Sequence, residues 1–358
     1  MPNRIRLTFA LMVAAVLAFV APAATAANDK DAVTVMTWNL YFGFDEAGLF
    51  SASPEEIPGA VSAAWAQIHA TDFRLRAAAI AKKVRATQPD LFAVQEAVQY
   101  VKLNGGTFEP MEVIDYIQIL VEALATEGLA YQPVNVLEDT SVTLPDAEGN
   151  YVQLLDRTAI LARTDLPPGH FKLSNPMKAT FSTLAPLCLG SECIAVKRGW
   201  VSVDVKIRSA RFRFVTAHLE DAGEVPNPFI EQYFQIPQAQ ELVATFPSNM
   251  PVILAGDFNT DGYQKWATYQ YFTGPARDGA AMKDAWLAAN PRQLGLTWGP
   301  DPNLLAPYPP FTQRLDLVLL RGAFRVVSAD VVGDERSDRT STGMWPSDHA
   351  GVVATLVP

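Results

Sequence analysis

Eight polar or ionisable side chains stand beside short apolar runs of the chain: Asn39, Glu96, His218, Asp257, Asn259, Asp316, Asp348 and His349. Such side chains are costly next to buried strands unless they face a shared cleft and satisfy one another. Each one alone has an ordinary structural explanation, such as an Asx turn or a solvated strand end. Because they recur at so many strand ends and include two of the four histidines, they predict one cleft of carboxylates, amides and imidazoles.

Short apolar runs predict the strands that must position this cleft, at residues 33–38, 91–95, 158–162, 199–207, 212–217, 252–255, 315–320 and 352–356. Few helical patterns lie between the later strands, so we expect much of the sheet to be antiparallel. The pattern as a whole predicts an α/β sandwich. No linker or shift in composition divides the chain.

Two amphipathic helices are predicted between the early strands. One is capped by Thr71 and stopped by Pro89, and the other starts at Pro110 and ends at Gly128. Long loops are expected at residues 40–70, 138–150 and 298–313. Long loops on a compact scaffold tend to carry specificity.

Composition excludes several classes of protein. The chain has 358 residues, of which 49% are hydrophobic and 18% are charged, so it can bury a sizeable core and is too apolar to be disordered. Its formal net charge is −10. This balance argues against a protein that grips nucleic acid mainly through a basic face.

The N-terminus has the features of an export signal. Arg4 and Arg6 precede an apolar run at residues 7–20, and the sequence Ala-Thr-Ala at 24–26 matches the small-x-small cleavage pattern. The run of about 14 apolar residues is short of the roughly 20 that cross a bilayer. We therefore expect cleavage after Ala26, a signal peptide at residues 1–26, one domain at 27–358 without a transmembrane segment, and a secreted or periplasmic location.

Export makes the two cysteines informative. Cys188 and Cys193 are the only cysteines of the chain, and such a pair usually oxidises outside the cytoplasm. Closing so short a loop stabilises by only about 2 kcal/mol. Zinc is a poor alternative, because no histidine lies close by in sequence. The pair predicts a disulfide that fixes a loop.

In order along the chain, the motifs that flank the apolar runs resemble the endonuclease/exonuclease/phosphatase (DNase I-like) superfamily. They are Trp38-Asn39, Gln95-Glu96, Thr216-Ala217-His218-Leu219-Glu220, Gly256-Asp257-Phe258-Asn259, Leu315-Asp316 and Ser347-Asp348-His349, and the match extends from Val33 to Leu356. The superfamily includes pancreatic-type deoxyribonuclease, apurinic endonucleases, bacterial sphingomyelinase C and inositol polyphosphate 5-phosphatases. The resemblance implies a four-layer sandwich of two packed, mostly antiparallel β-sheets flanked by helices.

The resemblance also implies a metal site. Cleavage of a phosphate ester needs a hard cation, an activated water and neutralisation of the charge on the phosphoryl oxygens. Glu96, Asn39 and Asp348 offer the oxygen ligands that suit Mg²⁺, with Mn²⁺ as a substitute. These three residues are the predicted metal ligands.

The remaining residues of the set are given catalytic roles by the same similarity. Asp316 is expected to hold the ring of His349, which then accepts a proton from the attacking water. Asp257 orients that water or is itself the base. His218 and Asn259 donate to the phosphate, and protonation of the leaving group by His218 is left open.

The substrate class is left open by these residues, because all members of the superfamily share the phosphate. Arg157, Arg198, Arg314 and Arg339 are isolated in sequence, which fits one or two phosphate contacts better than a polymer backbone. We expect an exported Mg²⁺-dependent phosphoesterase, a phosphodiesterase in preference to a phosphomonoesterase, with nuclease and sphingomyelinase or phospholipase C activities as alternatives. A catalytically dead binding module is disfavoured because every motif position is filled. No protein partner is implied.

Overall fold

The computed structural model describes residues 32–358 except residues 168, 170, 190, 191, 209, 224 and 278. The predicted signal peptide lies outside the described residues, so the signal, its cleavage after Ala26 and export stay predictions. No helix within the described ranges is long and apolar enough to cross a membrane.

The strands form two large sheets and one small hairpin. In chain order they are β1 (Val33–Asn39), β2 (Leu91–Gln95), β3 (Gln99–Leu103), β4 (Pro110–Asp115), β5 (Tyr131–Pro145), β6 (Tyr151–Arg163), β7 (Phe171–Thr180), β8 (Ala185–Leu189), β9 (Glu192–Val196), β10 (Gly199–Ile207), β11 (Ala210–His218), β12 (Val252–Asp257), β13 (Lys283–Asp284), β14 (Asp316–Arg321), β15 (Arg325–Val332) and β16 (Gly351–Val357). The first sheet has the order β15-β16-β1-β2-β6-β3-β4, with β5 also paired to β6, and the second has the order β13-β14-β12-β11-β10-β7.

Antiparallel pairing dominates both large sheets. Among the strand pairs of the described residues, only β1 with β2 and β11 with β12 run parallel. Strands β8 and β9 form the separate hairpin, in which Cys188 is paired with Cys193 and bonded to it as a disulfide. The predictions of mostly antiparallel sheets and of this disulfide are confirmed.

The helices are short and lie outside the sheets. They are α1 (Ala47–Phe50), α2 (Ile57–Ala70), α3 (Phe73–Thr87), α4 (Tyr116–Thr126), α5 (Pro228–Ile230), a π-helical turn (Glu231–Gln235), α6 (Ile236–Ala244), α7 (Ala267–Thr273), α8 (Ala285–Ala289) and a 3₁₀ turn (Arg336–Asp338).

Alternating side chains along β1 show how the layers are built. Val33 and Val35 belong to the core between the two sheets, whereas Met36 and Trp38 belong to the core that α3 and α4 cover. A third core, which includes Leu242 of α6, covers the outer face of the second sheet. Because neighbouring residues of a strand point to opposite faces, burial on both faces gives the order helices, sheet, sheet, helices. The predicted four-layer α/β sandwich is confirmed.

The structure corrects two boundaries of the predicted helices. Asp72, and not Thr71, caps α3, since its Oδ1 accepts a hydrogen bond from the Arg74 N–H at 3.0 Å. The predicted helix from Pro110 begins as strand β4, and α4 starts only at Tyr116, after the cap Asp115. The carboxylate of Asp115 accepts from the Gln118 N–H at 3.1 Å, which ends the strand and starts the helix.

Two of the predicted long loops contain regular structure. Residues 40–70 include α1 and α2, and strand β5 continues through residue 145. Residues 298–313 form irregular chain, joined to the site by the bridges of Trp298 with Gln313 and His349.

Candidate active site

The predicted site residues come together at one edge of the sandwich because of the way the strands pair. Asn39 ends β1 beside Gln95 of β2, the residue before Glu96. In the second sheet, His218 is paired with Asp257, and Asp257 is paired with Asp316. Parallel β1 and β2 end at the same edge, as do β11 and β12, and the antiparallel strand β14 begins there.

A histidine and two aspartates form one buried cluster of the site. His349 Nδ1 lies 2.8 Å from Asp316 Oδ2, and His349 Nε2 lies 3.7 Å from Asp257 Oδ2. The Asp316 N–H donates to Thr297 Oγ1 at 3.1 Å. Burial lowers the pKa of His349, but the Asp316 and Asp257 carboxylates raise it more, so the pKa of the ring is above its ordinary value.

The amide of Asn39 connects Glu96 to Asp257. Its Nδ2 donates to Glu96 Oε1 at 2.8 Å and to Asp257 Oδ2 at 2.9 Å. Its Oδ1 accepts from the Tyr41 N–H at 2.9 Å, and the Phe42 N–H donates to Glu96 Oε2 at 2.8 Å. The backbone N–H of Tyr41 thereby fixes the orientation of the amide, and Asn39 meets the carboxylates through its nitrogen.

Two site residues have unusual backbone geometry. Glu96 has φ 50° and Asn259 has φ 47°, in the left-handed backbone region that residues other than glycine seldom adopt. Such strain persists where the surrounding structure imposes it, and it is common at functional sites. Gly256, the residue before Asp257, leaves room for the neighbouring strand, since a Cβ at this position would lie 2.3 Å from the Ala217 oxygen.

The carboxylates of Glu96 and Asp348 repel each other across the site. Burial is the main cause of the raised pKa of Glu96, and the charges of Asp348 and Glu46 raise it further. Burial also raises the pKa of Asp348, whose Oδ1 lies 3.3 Å from Ser347 Oγ. Two repelling oxygen donors fit a divalent cation, which relieves the repulsion and takes carboxylate ligands.

A second group could also hold a metal. Asp257, Asp316 and His349 each offer one ligand atom, and these atoms lie within 4.8 Å of one another. However, Asp316 already holds the Nδ1 atom of His349, and Nε2 faces Asp257. Histidine oriented by a carboxylate is the arrangement of an acid–base pair, so this group fits proton transfer better than metal binding.

His218 and Asn259 lie on the other side of Asp257. His218 Nε2 is 3.5 Å from Asp257 Oδ2 and 3.2 Å from Asn259 Nδ2, and Asn259 Nδ2 donates to the Leu219 oxygen at 3.0 Å. The Asn259 N–H donates to Asp257 Oδ1 at 2.9 Å. Burial and the nearby Arg198 lower the pKa of His218, so the ring is neutral.

Arg198 is a site residue that the sequence did not distinguish from three other isolated arginines. Its Nη1 lies 2.7 Å from His218 Nδ1, and its guanidinium also meets Asp156. The sequence did contain information that could have distinguished Arg198. If the predicted strands at 199–207 and 212–217 form a hairpin, Gly199 lies opposite His218, as it does in the structure, and residue 198 then lies at the site edge of the sheet. The other three arginines have other partners: Arg157 binds Asp115 and the Ala97 oxygen, Arg314 binds Asp284, and Arg339 packs over Trp345.

The chain belongs to the Endonuclease/Exonuclease/phosphatase family, whose profile matches residues 36–349. The fold and the site geometry agree with this membership. No curated protein sequence matches the chain.

Solved structures with the same fold share little sequence with the chain. An endonuclease/exonuclease/phosphatase family protein from Leptotrichia buccalis is 15% identical, with a TM-score of 0.56, covering 90% of this chain and 99% of that one. D. rerio TDP2 complexed with single strand DNA product is 16% identical, with a TM-score of 0.53, covering 91% and 98%. The mannosyl-6-phosphatase Bt3783 of Bacteroides thetaiotaomicron is 20% identical, with a TM-score of 0.50, covering 91% and 100%.

Proposed function

We propose that the protein is an exported Mg²⁺-dependent phosphodiesterase that hydrolyses a small phosphodiester by in-line attack of water. The observation that carries this proposal is the position of the Asp257 carboxylate. Its Oδ2 lies 2.9 Å from Asn39 Nδ2, 3.5 Å from His218 Nε2 and 3.7 Å from His349 Nε2. One carboxylate oxygen therefore lies between the Asn39 amide, which is bound to Glu96, and the two imidazole rings.

Glu96 and Asp348 would hold the metal. Asn39, the third predicted ligand, would instead keep Glu96 in place, because its Nδ2 donates to Glu96 Oε1 and its Oδ1 accepts from the Tyr41 N–H. When bound, Mg²⁺ supplies positive charge for the phosphoryl oxygens and fixes the orientation of the phosphate. The side chains of the chain itself supply proton transfer and hydrogen bonds.

The proton of the attacking water would go to the pair formed by Asp257 and His349. Asp316 holds His349 Nδ1, so that Nε2 faces Asp257. Burial raises the pKa of Asp257, but the charge of His349 and the hydrogen bonds from Asn39 and from the Asn259 N–H lower it more, which keeps the carboxylate ionised and able to orient a water. A positioned acid or base of this kind accelerates hydrolysis by about 10²- to 10⁴-fold.

His218 and Asn259 complete the site as donors to the phosphate. His218 Nε2 lies 3.2 Å from Asn259 Nδ2 and 3.5 Å from Asp257 Oδ2, and the Asn259 N–H donates to the other Asp257 oxygen, Oδ1, at 2.9 Å. Preorganised donors aimed at the phosphoryl oxygens stabilise the charge that develops there.

The charges around the site support a diester with a small negative charge. Glu46 is half-buried, and burial together with the charges of Asp221, Asp156 and Asp348 raises its pKa to about 8, although Arg198 opposes this. Glu220 is buried nearby, and burial raises its pKa too. The aspartate charges that raise the pKa of Glu46 make these surroundings negative. A diester carries one negative charge, whereas a monoester carries more and a nucleic acid carries one on every phosphate, so the negative surroundings disfavour the latter two.

A substrate panel tests this proposal. Purified protein with Mg²⁺ is given a chromogenic diester, the matching chromogenic monoester, plasmid DNA, sphingomyelin and inositol phosphates. We expect the diester to be cleaved faster than the monoester, and His349→Ala purified in the same way to lose that activity. Cleavage of none of the five, or equal cleavage by His349→Ala, would overturn the proposal. Preference for plasmid DNA or sphingomyelin would identify a nuclease or a sphingomyelinase instead.

A further inference from the structure

Arg76 of α3 is fully buried and is held by uncharged groups. Its guanidinium makes five hydrogen bonds, which use all five N–H donors of the side chain. The acceptors are the backbone oxygens of Leu40, Tyr41, Thr71 and Pro346 and the hydroxyl oxygen of Tyr116. In the part of the chain that the structure describes, no carboxylate accepts a hydrogen bond from this guanidinium. Burial of a charge is costly unless its donors are satisfied, so these acceptors determine where the guanidinium lies.

Aromatic rings pack around the same guanidinium. Its Cζ lies 4.8 Å from the centre of the Phe73 ring and 5.6 Å from the centres of the Tyr41 and Tyr116 rings. Contact with ring faces stabilises a cation in place of a carboxylate. The oxygens and the rings together keep the charge buried without drawing a carboxylate of the site toward it.

Two of the acceptors lie in the segment that follows β1. Arg76 Nη1 donates to the Leu40 oxygen at 2.5 Å, and Nη2 donates to the Tyr41 oxygen at 3.3 Å. The Tyr41 N–H in turn donates to Asn39 Oδ1 at 2.9 Å. Arg76 thereby fixes the backbone that orients the Asn39 amide.

The hydroxyl of Tyr116 connects Arg76 to Glu96. It accepts from Arg76 Nη2 at 3.2 Å and donates to the Phe42 oxygen at 3.0 Å. The Phe42 N–H donates to Glu96 Oε2 at 2.8 Å. Glu96, a predicted metal ligand, is thus joined to Arg76 by a continuous series of contacts.

A further acceptor lies beside the other predicted metal ligand. Arg76 Nη1 donates to the Pro346 oxygen at 3.2 Å, two residues before Asp348. Between these residues, Ser347 Oγ donates to the Asn39 oxygen at 2.8 Å. Because the same nitrogen also holds the segment after β1, it joins the two segments of backbone that orient the predicted metal ligands.

We propose that Arg76 is a positioning residue that assembles the cation site before the metal binds. It holds together the segments that orient Glu96 and Asp348, whose carboxylates repel each other when no cation lies between them. The inference rests on the proposed function in one respect, the assignment of Mg²⁺ to these two carboxylates.

The charge of Arg76 and its hydrogen bonds have opposite effects on a cation. The guanidinium lies next to the segment that carries Asp348, where its positive charge repels Mg²⁺. Carboxylates that are already fixed in place bind a cation more tightly, because less freedom is lost on binding. Positioning therefore predicts that removal of Arg76 weakens Mg²⁺ binding, whereas an effect of charge alone predicts tighter binding.

Calorimetric titration of the purified, folded protein with Mg²⁺ tests the proposal without an assay of activity. Arg76→Met and Arg76→Lys should both bind Mg²⁺ about 10- to 100-fold more weakly than the unmodified protein, as is usual when a residue that orients metal ligands is replaced. Arg76→Lys keeps the charge but loses the rigid fork of five donors. Unchanged or tighter binding by Arg76→Met, or full affinity in Arg76→Lys, would overturn the proposal.

A milder variant keeps Arg76 and covers the case in which Arg76→Met does not fold. Tyr116→Phe keeps the ring but removes the hydroxyl between Arg76 and Phe42. Since the Tyr100 hydroxyl also donates to the Phe42 oxygen at 2.8 Å, we expect a smaller loss of Mg²⁺ affinity, about 10-fold or less. Unchanged affinity in folded Tyr116→Phe would contradict the proposal.

Arg213→Met is the matched control for the loss of a buried arginine. Arg213 binds Asp204 Oδ1 at 2.7 Å and pairs with Val252 at the start of β12, whereas Asp257 ends that strand at the site. Its Mg²⁺ affinity should equal that of the unmodified protein, and equal weakening by Arg213→Met would overturn the role of Arg76. Absence of Mg²⁺ binding by the unmodified protein would refute the metal site of the proposed function itself, and the role of Arg76 with it.

Discussion

His349 Nδ1 lies 2.8 Å from Asp316 Oδ2, and the two side chains are almost completely buried. They come from different parts of the second half of the chain: Asp316 begins β14, and His349 precedes β16. The backbone of Asp316 is held by pairing with Asp257 on β12 and by the hydrogen bond of its N–H to Thr297 Oγ1. The carboxylate therefore orients the ring, and its Nε2 faces Asp257.

This relationship predicts that Asp316 and His349 act as one unit. Asp316→Asn and His349→Ala should each lower turnover by a factor on the order of 10² to 10⁴. The double variant should be little slower than His349→Ala alone, because both changes disable the same function. Turnover of the four proteins measures this coupling. Losses that simply multiply would show that the two residues act independently.

The acid pair of Glu96 and Asp348 predicts metal dependence. Chelation should abolish hydrolysis, and Mg²⁺ or Mn²⁺ should restore it. Glu96→Gln should weaken binding in a Mg²⁺ titration, because it removes a charged oxygen ligand. Asp316→Asn is the control, and its Mg²⁺ titration should stay nearly unchanged. A Mg²⁺ requirement shifted as strongly by Asp316→Asn would put Asp316 among the metal ligands, and full activity in excess chelator would refute a metal mechanism.

The ion pair between Asp115 and Arg157 predicts a pH-dependent contribution to stability. Arg157 Nη2 lies 2.7 Å from Asp115 Oδ1, and 17% of the Asp115 side chain is exposed. Burial raises the pKa of Asp115, but the Arg157 contacts and the cap of α4 lower it more, so its pKa is below the ordinary value. Asp115→Asn should lower the free energy of unfolding at neutral pH by about 1.5–3 kcal/mol.

The sign of the pH effect follows from the lowered pKa of the folded state. The stabilisation is fully present above the unfolded pKa of about 3.9 and is lost as the pH falls through the lower folded pKa. Urea unfolding at several pH values should therefore show the difference between the two proteins shrinking in acid. Asp165→Asn is the control, since its pair with Arg163 is 39% exposed on the Asp165 side and contributes about 0–1 kcal/mol. A difference that is constant with pH would refute the ion-pair explanation.

The disulfide of the hairpin is expected to matter for stability and not for catalysis. Replacing Cys188 and Cys193 together by serine should lower the free energy of unfolding by about 2 kcal/mol, because the closed loop is short. Arg198 should stay in place, since Lys197 is anchored to Thr140 by two hydrogen bonds of 2.7 and 3.0 Å. Unfolding curves and turnover of the double variant measure both effects. A large loss of turnover with a small change in stability would show that the hairpin positions Arg198.

The N-terminal sequence predicts processing on export. Mass spectrometry of the exported protein should find an N-terminus near Ala27 and no free thiol, because signal peptidase recognises small residues before the cleavage site and the exported cysteines oxidise. Expression with the signal removed provides the cytoplasmic comparison. Retention of residues 1–26, or two free thiols in exported protein, would contradict this prediction.

Sequence patterning by itself predicted an α/β sandwich and a cleft of polar side chains at its strand ends. Short apolar runs predict strands that are buried on both faces, as β1 is, and polar side chains at strand ends stand out because burying them alone is costly. For the same reason the sequence predicts that Asp257, His218, His349, Asp316 and Glu96 share one cleft, and the strand pairing brings them to one edge of the sandwich. Local chemistry also allowed the disulfide to be predicted, since two cysteines five residues apart have only each other.

Tertiary structure alone decided what the local patterns left ambiguous. The spacing of apolar residues after Pro110 is typical of a helix, but residues 110–115 form strand β4, which pairs with β3. Hydrogen bonding to a neighbouring strand outweighs a weak local preference for helix. The orientation of the Asn39 amide depends on a backbone N–H two residues away, and the position of Arg198 beside His218 depends on Asp156, which contacts it from the other sheet. Contacts between residues distant in sequence have no local signature, so only the folded chain could assign them.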